Sequence, residues 1–188
     1  LASADTLYLT GQPLDFATLE AIGSGARRPV ACEMGMGRIG TARRIVTDRL
    51  ATGLPIYGAN TGVGSMKDKL WTADDLVEFN NSLVRAHHFG TGEPFTLPIV
   101  RKAIAIRVNT ALGGYSGCSP ELIDALLSLL ERDVVPVVRR HGSMGCADIG
   151  LMGQVAAVLT GEGEAWYGGE RLPATEALKR AGLTPYRM

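Results

Sequence analysis

The side chains of this chain that are best suited to proton transfer lie in or beside glycine-rich segments. Tyr57 opens the string YGANTGVG, and the adjacent His87 and His88 lie at the end of a predicted helix. A phenol and an imidazole can each accept or donate a proton, as general acid–base catalysis requires. Taken alone, such a tyrosine is more often a packed surface aromatic, and such a histidine is more often hydrogen-bonded at a helix end. The residue types therefore permit this chemistry without establishing it.

A further glycine-rich segment, HGSMGCAD at 141–148, leads into an apolar run. Because it enters the amino end of a predicted helix, partial positive charge there would favour an anionic group. Two of its residues also have ordinary structural explanations. Cys146 is typical of a small buried apolar residue, and Asp148 is typical of a helix cap.

Composition limits the classes of protein to which the chain can belong. Its 188 residues are 46% hydrophobic and 20% charged, which suits a domain with a true core. Nineteen basic and nineteen acidic residues balance, so we expect a small molecule or another protein as the partner, and neither nucleic acid nor membrane. Three cysteines without metal-ligand spacing argue against a disulfide framework or a metal site. A reducing compartment is expected, hence a cytoplasmic protein without a leader or membrane span.

Apolar periodicity predicts a mainly α chain with little sheet. Thr72 and Ser119 are predicted helix caps, the latter with Pro120 in the first turn. Several helices are apolar on more than one side, as in a bundle whose other members are absent, so we expect part of a longer protein. Helices are predicted over 15–22, 41–50, 72–88, 98–110, 119–130, 149–159 and 173–180, and extended segments over 7–9, 134–138, 164–167 and 170–172.

The string YGANTGVG resembles the Tyr-Gly-x-Asn-Thr-Gly-x-Gly loop of the aromatic amino acid ammonia-lyases, which include histidine, phenylalanine and tyrosine ammonia-lyases and aminomutases. Four further stretches match that family in order: NSLVRAHHFGTG, RVNTALGGYSG, VVPVVRRHGSMG and LTGEGEAWYGGERLPATEALKRAGLTP. The resemblance implies an L-aspartase/ammonia-lyase-like helical bundle, incomplete in this chain. We expect a mixed α/β amino-terminal region over 1–110. The start of the central helical region, with a small hairpin, is expected over 111–188.

The resemblance also implies roles for individual residues. Tyr57 would be the base that removes the proton beta to the substrate amine, on a loop that closes over the site. His87 would position or protonate the substrate. Asn60, Thr61 and Gly62 are candidate substrate contacts, although the first two could equally hydrogen-bond within the loop. Asn109 and Tyr115 also match family positions and are interpreted as scaffold.

The chain departs from the family pattern at the electrophile loop. Family members typically read Gly-Ser-x-Gly-Ala-Ser-Gly-Asp, and the Ala-Ser-Gly triplet cyclises and loses water to form a methylidene-imidazolone. This chain reads Gly-Ser-Met-Gly-Cys-Ala-Asp, so the dehydrating serine is missing and the cofactor is doubtful. No external cofactor is implied. The candidate residues of this loop are Ser143, Gly145, Cys146, Ala147 and Asp148.

Three outcomes follow from this departure. The favoured one forms no electrophile and expels a better leaving group, as ergothionase-like relatives expel trimethylamine from a betaine. In the second, Gly145-Cys146-Ala147 cyclises with loss of sulfide. In the third, the fold persists as a non-catalytic structural or regulatory homologue.

The expected activity is therefore elimination of an amine from a histidine-like or aromatic amino acid, or its betaine, to give an α,β-unsaturated acid. An aminomutase on the same fold is the alternative enzyme. The resemblance implies a homotetramer whose shared sites also need residues beyond Met188.

Overall fold

The computed structural model describes residues 5–142, 145 and 149–187. Helices dominate it, as predicted. The strands are β1 (Asp5–Leu9), β2 (Arg27–Ala31), β3 (Thr91–Pro94), β4 (Val135–Pro136), β5 (Arg139–His141), β6 (Glu164–Tyr167) and β7 (Glu170–Pro173). The helices are α1 (Phe16–Gly23), α2 (Glu33–Ala51), α3 (Ala73–His87), α4 (Leu97–Ala111), α5 (Pro120–Glu131), α6 (Ile149–Leu159) and α7 (Ala174–Arg180), with a 3-10 turn at Gly64–Met66.

Helices α1, α3 and α5 each begin after a residue whose side chain caps the first turn. The Asp15 carboxylate accepts a hydrogen bond from the Thr18 amide at 2.7 Å. Hydrogen bonding to the Thr18 side chain, and then to its amide, lowers the pKa of this carboxyl. Thr72 accepts from the Asp75 amide at 3.3 Å, and Ser119 caps α5 in the same way. These contacts satisfy amides that the first helical turn leaves without backbone partners. The predicted starts of α1, α3 and α5 are confirmed.

The predicted hairpin is also confirmed. β6 pairs antiparallel with β7, with Tyr167 opposite Glu170. Gly168 and Gly169 have φ of 60° and 83°. Both central residues of this turn type need positive φ, which glycine adopts without steric cost.

Several sequence-based boundaries were wrong. β2, which pairs parallel with β1, was not predicted, nor was the antiparallel pair of β3 and β5. α2 begins at Glu33, well before the predicted Thr41. Of the extended segment predicted over 134–138, only β4 is a strand. The proposed cap Asp148 lies outside the described residues.

The start of α2 was missed because glycines obscure its apolar period. Gly35 lies where α2 meets the end of α4, and a Cβ there would come within 2.9 Å of the Leu112 side chain. Here glycine serves close helix packing rather than a turn. An interhelical contact of this kind has no signature in local sequence.

One hydrophobic core joins both halves of the chain, with α4 at its centre. Ile104, Ala105 and Val108 of α4 are fully buried against neighbours that include α1 and α5. The domain boundary expected near residue 110 falls in the last turn of α4, and the core continues past it. None of the helices in the described parts is both long and apolar enough to cross a membrane.

Asn109 ties α4 to the turn after β1. Its side-chain amide accepts a hydrogen bond from Gly11 N–H at 2.9 Å and donates to the Gln12 carbonyl at 2.7 Å. This geometry matches the scaffold role expected for Asn109. Tyr115, assigned the same role, is 95% exposed.

Candidate active site

Residues 54–71, here called the Tyr loop, are closed by their own hydrogen bonds. The Gly62 amide donates to the Lys69 carbonyl, and the Trp71 amide donates to the Asn60 carbonyl, both at 2.9 Å. Thr61 and Leu70 form an antiparallel bridge between these bonds. The loop therefore has a defined internal structure around Tyr57.

Asn60 is the central internal contact of the Tyr loop. Its side-chain oxygen accepts from the Ile56 amide at 2.7 Å, and its NH2 group donates to the Leu54 carbonyl at 3.0 Å. Thr61 is 2% exposed, and its hydroxyl accepts from the Gly58 amide and donates to the Gly62 carbonyl. Both polar side chains thus make bonds inside the loop, one of the two uses that the sequence left open.

Gly62 allows two segments of the Tyr loop to approach closely, because it has no side chain. A Cβ there would lie 2.6 Å from the Cβ of Met66, closer than real Cβ atoms approach. Its amide is already bonded to Lys69. The conformation of the loop explains the glycine at this position.

Tyr57 stands at the surface of its loop. The side chain is 66% exposed, and its hydroxyl oxygen accepts a hydrogen bond from the Gly64 amide at 3.1 Å. An N–H donor uses a lone pair of the phenol oxygen and leaves the phenolic hydrogen free. The exposed phenol is therefore oriented by its own loop and accessible to a substrate.

His87 is the last residue of α3, and its ring has a defined tautomer in the neutral state. Nδ1 lies 2.7 Å from the carbonyl oxygen of Leu83. Because a carbonyl only accepts, the hydrogen of the neutral ring belongs on Nδ1 and the lone pair on Nε2. Nε2 is then the atom able to take a proton from a substrate or bind its polar hydrogen.

The neighbouring His88 has different surroundings. Its ring lies where a Cβ on Gly163 would come within 2.8 Å, so it packs against the turn before β6. This contact gives His88 a structural use and supports His87 as the better candidate of the two.

The flanks of the electrophile loop are tied together by Gln154. This side chain of α6 is 3% exposed. Its amide oxygen accepts from the Arg139 amide at 2.8 Å, and its NH2 group donates to the Arg139 carbonyl at 3.3 Å. These bonds fix the positions of β5 and α6, which precede and follow the loop, relative to each other. Sequence reasoning missed Gln154, although a glutamine within the apolar run IGLMGQVAAVL was an available signal.

Glycines bring these flanks against the end of α3. A Cβ at Gly153 would lie 2.8 Å from the carbonyl carbon of His87, and one at Gly142 would lie 2.8 Å from the Phe89 oxygen. One at Gly150 would meet the Phe89 ring at 2.7 Å. His87 therefore lies beside α6, and Phe89, two residues further on, lies against both flanks of the loop. Within the loop, Gly145 has φ of 71°, whereas Ser143, Cys146, Ala147 and Asp148 lie outside the described residues.

A cavity of about 370 Å³ lies between the Tyr loop and α3. Its size suits a small molecule or a few side chains. Among the described residues no hydrogen bond joins Tyr57 to His87. His87 ends α3, and the loop that carries Tyr57 contacts α3 through Trp71 and Phe79. The described residues also contain no group of three His, Cys, Asp or Glu side chains placed to bind a metal. The cavity is lined by Met66, Trp71, Asp75, Glu78, Phe79, Ser82, Leu83 and Ala86.

An ion pair supports the strand that leads into the electrophile loop. Arg171 Nε donates to Glu164 at 3.0 Å, and Arg139 of β5 approaches the same carboxylate at 3.9 Å. The hydrogen bond from Arg171 lowers the pKa of Glu164, against a smaller opposing effect of burial. Glu164 thus links β5, β6 and β7 by charge.

Glu164→Gln is expected to reduce stability at neutral pH by roughly 0.5 kcal/mol, since the pair is partly exposed to solvent. The folded-state pKa of Glu164 is below its unfolded value, so its contribution is present above that value and is lost as pH falls through the folded pKa. Thermal midpoints of the two proteins should therefore differ at pH 7, and the difference should shrink as the pH is lowered below the ordinary pKa of a glutamate. An equal difference at pH 7 and at the lower pH would mean that the substitution disturbs packing instead.

The comparisons with known proteins agree with this fold. Residues 14–188 match the pattern of the family described as aromatic amino acid lyase. The chain belongs to this family. It is 43% identical over 176 residues to a histidine ammonia-lyase from Stigmatella aurantiaca, covering 91% of this chain and 34% of that protein.

Two further relatives extend the comparison. A histidine ammonia-lyase from Geobacillus thermodenitrificans (strain NG80-2) is 37% identical over 181 residues, covering 95% of this chain and 36% of that protein. The ergothioneine-degrading ergothionase of Treponema denticola, solved with desmethyl-ergothioneine sulfonic acid, has a TM-score of 0.93 and 31% identity, covering 97% of this chain and 37% of that one. The chain thus spans about a third of the length of these relatives.

Proposed function

We propose that the protein containing this chain is a carbon–nitrogen lyase that eliminates an amine from a histidine-like or aromatic amino acid, or its betaine. Membership of the aromatic amino acid lyase family supports the reaction class. Identities of 37% and 43% to histidine ammonia-lyases support an imidazole-bearing substrate. The product would be an α,β-unsaturated acid.

The observation that carries the finer proposal is the missing serine of the electrophile loop. The segment Gly145-Cys146-Ala147 does not supply the Ala-Ser-Gly triplet from which the methylidene-imidazolone forms. We infer a reaction that does not need it. The structural similarity to ergothionase supports a betaine whose leaving group is trimethylamine.

A quaternary ammonium group suits elimination without an electrophile. It has no N–H to lose, so it stays cationic and departs as a neutral amine that takes both electrons of the C–N bond. A primary amine in its neutral form would have to depart as a strongly basic anion. The lost cofactor and the changed leaving group are therefore chemically matched.

In the proposed step, the deprotonated Tyr57 oxygen takes the proton from the carbon beta to the amine. The electrons of that C–H bond form the new C=C bond, and the C–N pair leaves with the amine. His87, with its Nε2 lone pair, would hold a polar hydrogen of the substrate or transfer a proton. The exposed position of Tyr57 accords with a site completed by residues outside this chain.

We further propose that the protein is a cytoplasmic homotetramer with sites shared between subunits. The expectation rests on the family resemblance and on exposed apolar residues such as Val77 of α3, which is 50% exposed. Residues beyond Met188 would complete each site. In this arrangement, the open face of α3 would be covered by other parts of the assembly.

The proposal is tested by incubating the full-length protein separately with ergothioneine, histidine, tyrosine and phenylalanine. Ultraviolet absorbance reports a conjugated acid, and mass spectrometry reports trimethylamine. We expect turnover of the betaine and an intact mass equal to that of the unmodified sequence. Ammonia release together with a mass deficit would show that an electrophile forms, and a β-amino acid would indicate an aminomutase. No product from any substrate would favour the non-catalytic homologue.

A further inference from the structure

The Tyr loop is attached to α3 by stacked side chains. The rings of Trp71 and Phe79 stack with centroids 4.8 Å apart and planes 27° from parallel. The Lys69 ammonium lies 3.9 Å from the centroid of the Trp71 ring. Such offset stacking and cation–π contacts add directional attraction to apolar burial. Trp71 therefore has the geometry of an anchor for the end of the loop.

The same residue is bonded to the segment that carries Tyr57. Its amide donates to the Asn60 carbonyl at 2.9 Å. The Asn60 side chain in turn bonds Leu54 and Ile56, which precede Tyr57 in the chain. A shift of the indole would thus be transmitted to Tyr57 through consecutive hydrogen bonds.

The other end of this connection is the helix that carries His87. Phe79 is about two turns before His87 on α3. A helix of this length behaves as a rigid element, so fixing Trp71 to Phe79 fixes the Tyr loop relative to the imidazole. We propose that Trp71 is a positioning residue that sets Tyr57 relative to His87. The inference rests on the proposed function, in which these two residues act on one substrate.

The indole ring, rather than its N–H group, accounts for this role. Trp71 Nε1 is buried and has no hydrogen-bond partner among the described residues. Phenylalanine at this position keeps an aromatic ring for the stack and removes the unpaired donor. Alanine removes the stack. Trp71→Phe is therefore the conservative rescue, and Trp71→Ala is the disruptive variant.

The experiment uses the full-length protein with Trp71→Ala, Trp71→Phe and the control Leu178→Ala. Leu178 is 2% exposed in the core, so its truncation destabilises the fold without touching the Tyr loop. Initial rates with ergothioneine and histidine give kcat and KM. Hydrogen–deuterium exchange of peptides from residues 54–71 measures the order of the loop independently of activity.

Trp71→Ala is expected to lower kcat about tenfold or more, because a misplaced Tyr57 phenol reacts more slowly even when the protein remains folded. It should also speed amide exchange in the Tyr loop. Trp71→Phe should retain wild-type exchange and kcat within about threefold. Leu178→Ala should lower the thermal midpoint without changing exchange in the loop or kcat below the melting temperature.

Unchanged loop exchange and kcat in Trp71→Ala would overturn the positioning role. Equal losses in Trp71→Phe and Trp71→Ala would contradict the role of the stacked ring, because phenylalanine retains an aromatic ring at this position. If the wild-type protein turns over none of the substrates, the proposed function fails. In that case the exchange data still decide whether Trp71 orders the loop.

Discussion

Gly153→Ala is expected to destabilise the protein by about 2 kcal/mol and to lower turnover sharply. The added methyl would lie 2.8 Å from the His87 carbonyl carbon and 2.9 Å from its Cβ, so α3 and α6 must separate. Overpacking of this kind costs about 1–3 kcal/mol, and the higher helix propensity of alanine offsets part of it. The separation of the helices would displace His87, the residue proposed to contact the substrate. Thermal unfolding and initial rates measure the two effects.

A matched control is available on α2. Gly37→Ala makes the same change within a helix, but a Cβ there meets nothing within 4 Å. It should be neutral or stabilise by up to about 1 kcal/mol through helix propensity. If the two variants behave alike, the close approach of α6 to His87 is not the cause. A crystal structure of Gly153→Ala with His87 unmoved would also contradict the prediction.

Tyr57→Phe is expected to lower turnover by about 100- to 10,000-fold, the range for removing a general base. The variant deletes the phenol oxygen and leaves the ring. Folding should be nearly unaffected, because the bond lost from the Gly64 amide is at an exposed side chain and contributes about 1 kcal/mol or less. Steady-state rates with the betaine and with histidine provide the measurement.

Tyr8→Phe is the control for this substitution. Tyr8 is 67% exposed, close to the 66% of Tyr57, but lies on β1 outside the Tyr loop. We expect its rate and thermal midpoint to match those of the wild type. Activity above about a tenth of the wild-type level in Tyr57→Phe would exclude Tyr57 as the base. A large fall in the midpoint would show instead that the phenol supports the loop.

The two predictions use glycines in different ways. At Gly153 the missing side chain lets two helices approach, whereas Gly64 contributes its backbone N–H to the Tyr57 hydroxyl. Gly64 belongs to the glycine-rich string YGANTGVG, whereas Gly153 lies in the apolar run of α6. The sequence could not show that one supplies a loop hydrogen bond and the other a close helix contact.

Local signals sufficed where the stabilising contacts are themselves local. The caps at Asp15, Thr72 and Ser119 bond amides three residues ahead, and the Gly168–Gly169 turn needs only its own φ angles. The Thr72 and Ser119 caps and the hairpin turn were therefore predicted correctly, and for Asp15 the start of the helix was predicted. In the site, the motif around Tyr57 and the segment ending at His87 were identified as candidates by resemblance to the family.

The amino-acid sequence by itself determined the helical class, the main caps and the hairpin, because each depends on neighbours in the chain, and its motifs indicated the candidate residues through their resemblance to the family. Tertiary structure alone decided the pairing of β1 with β2, the early start of α2, the Gln154 bonds to Arg139 and the approach of Gly153 to His87. Each of these depends on a partner distant in sequence, whose position becomes known only when the chain has packed around α4.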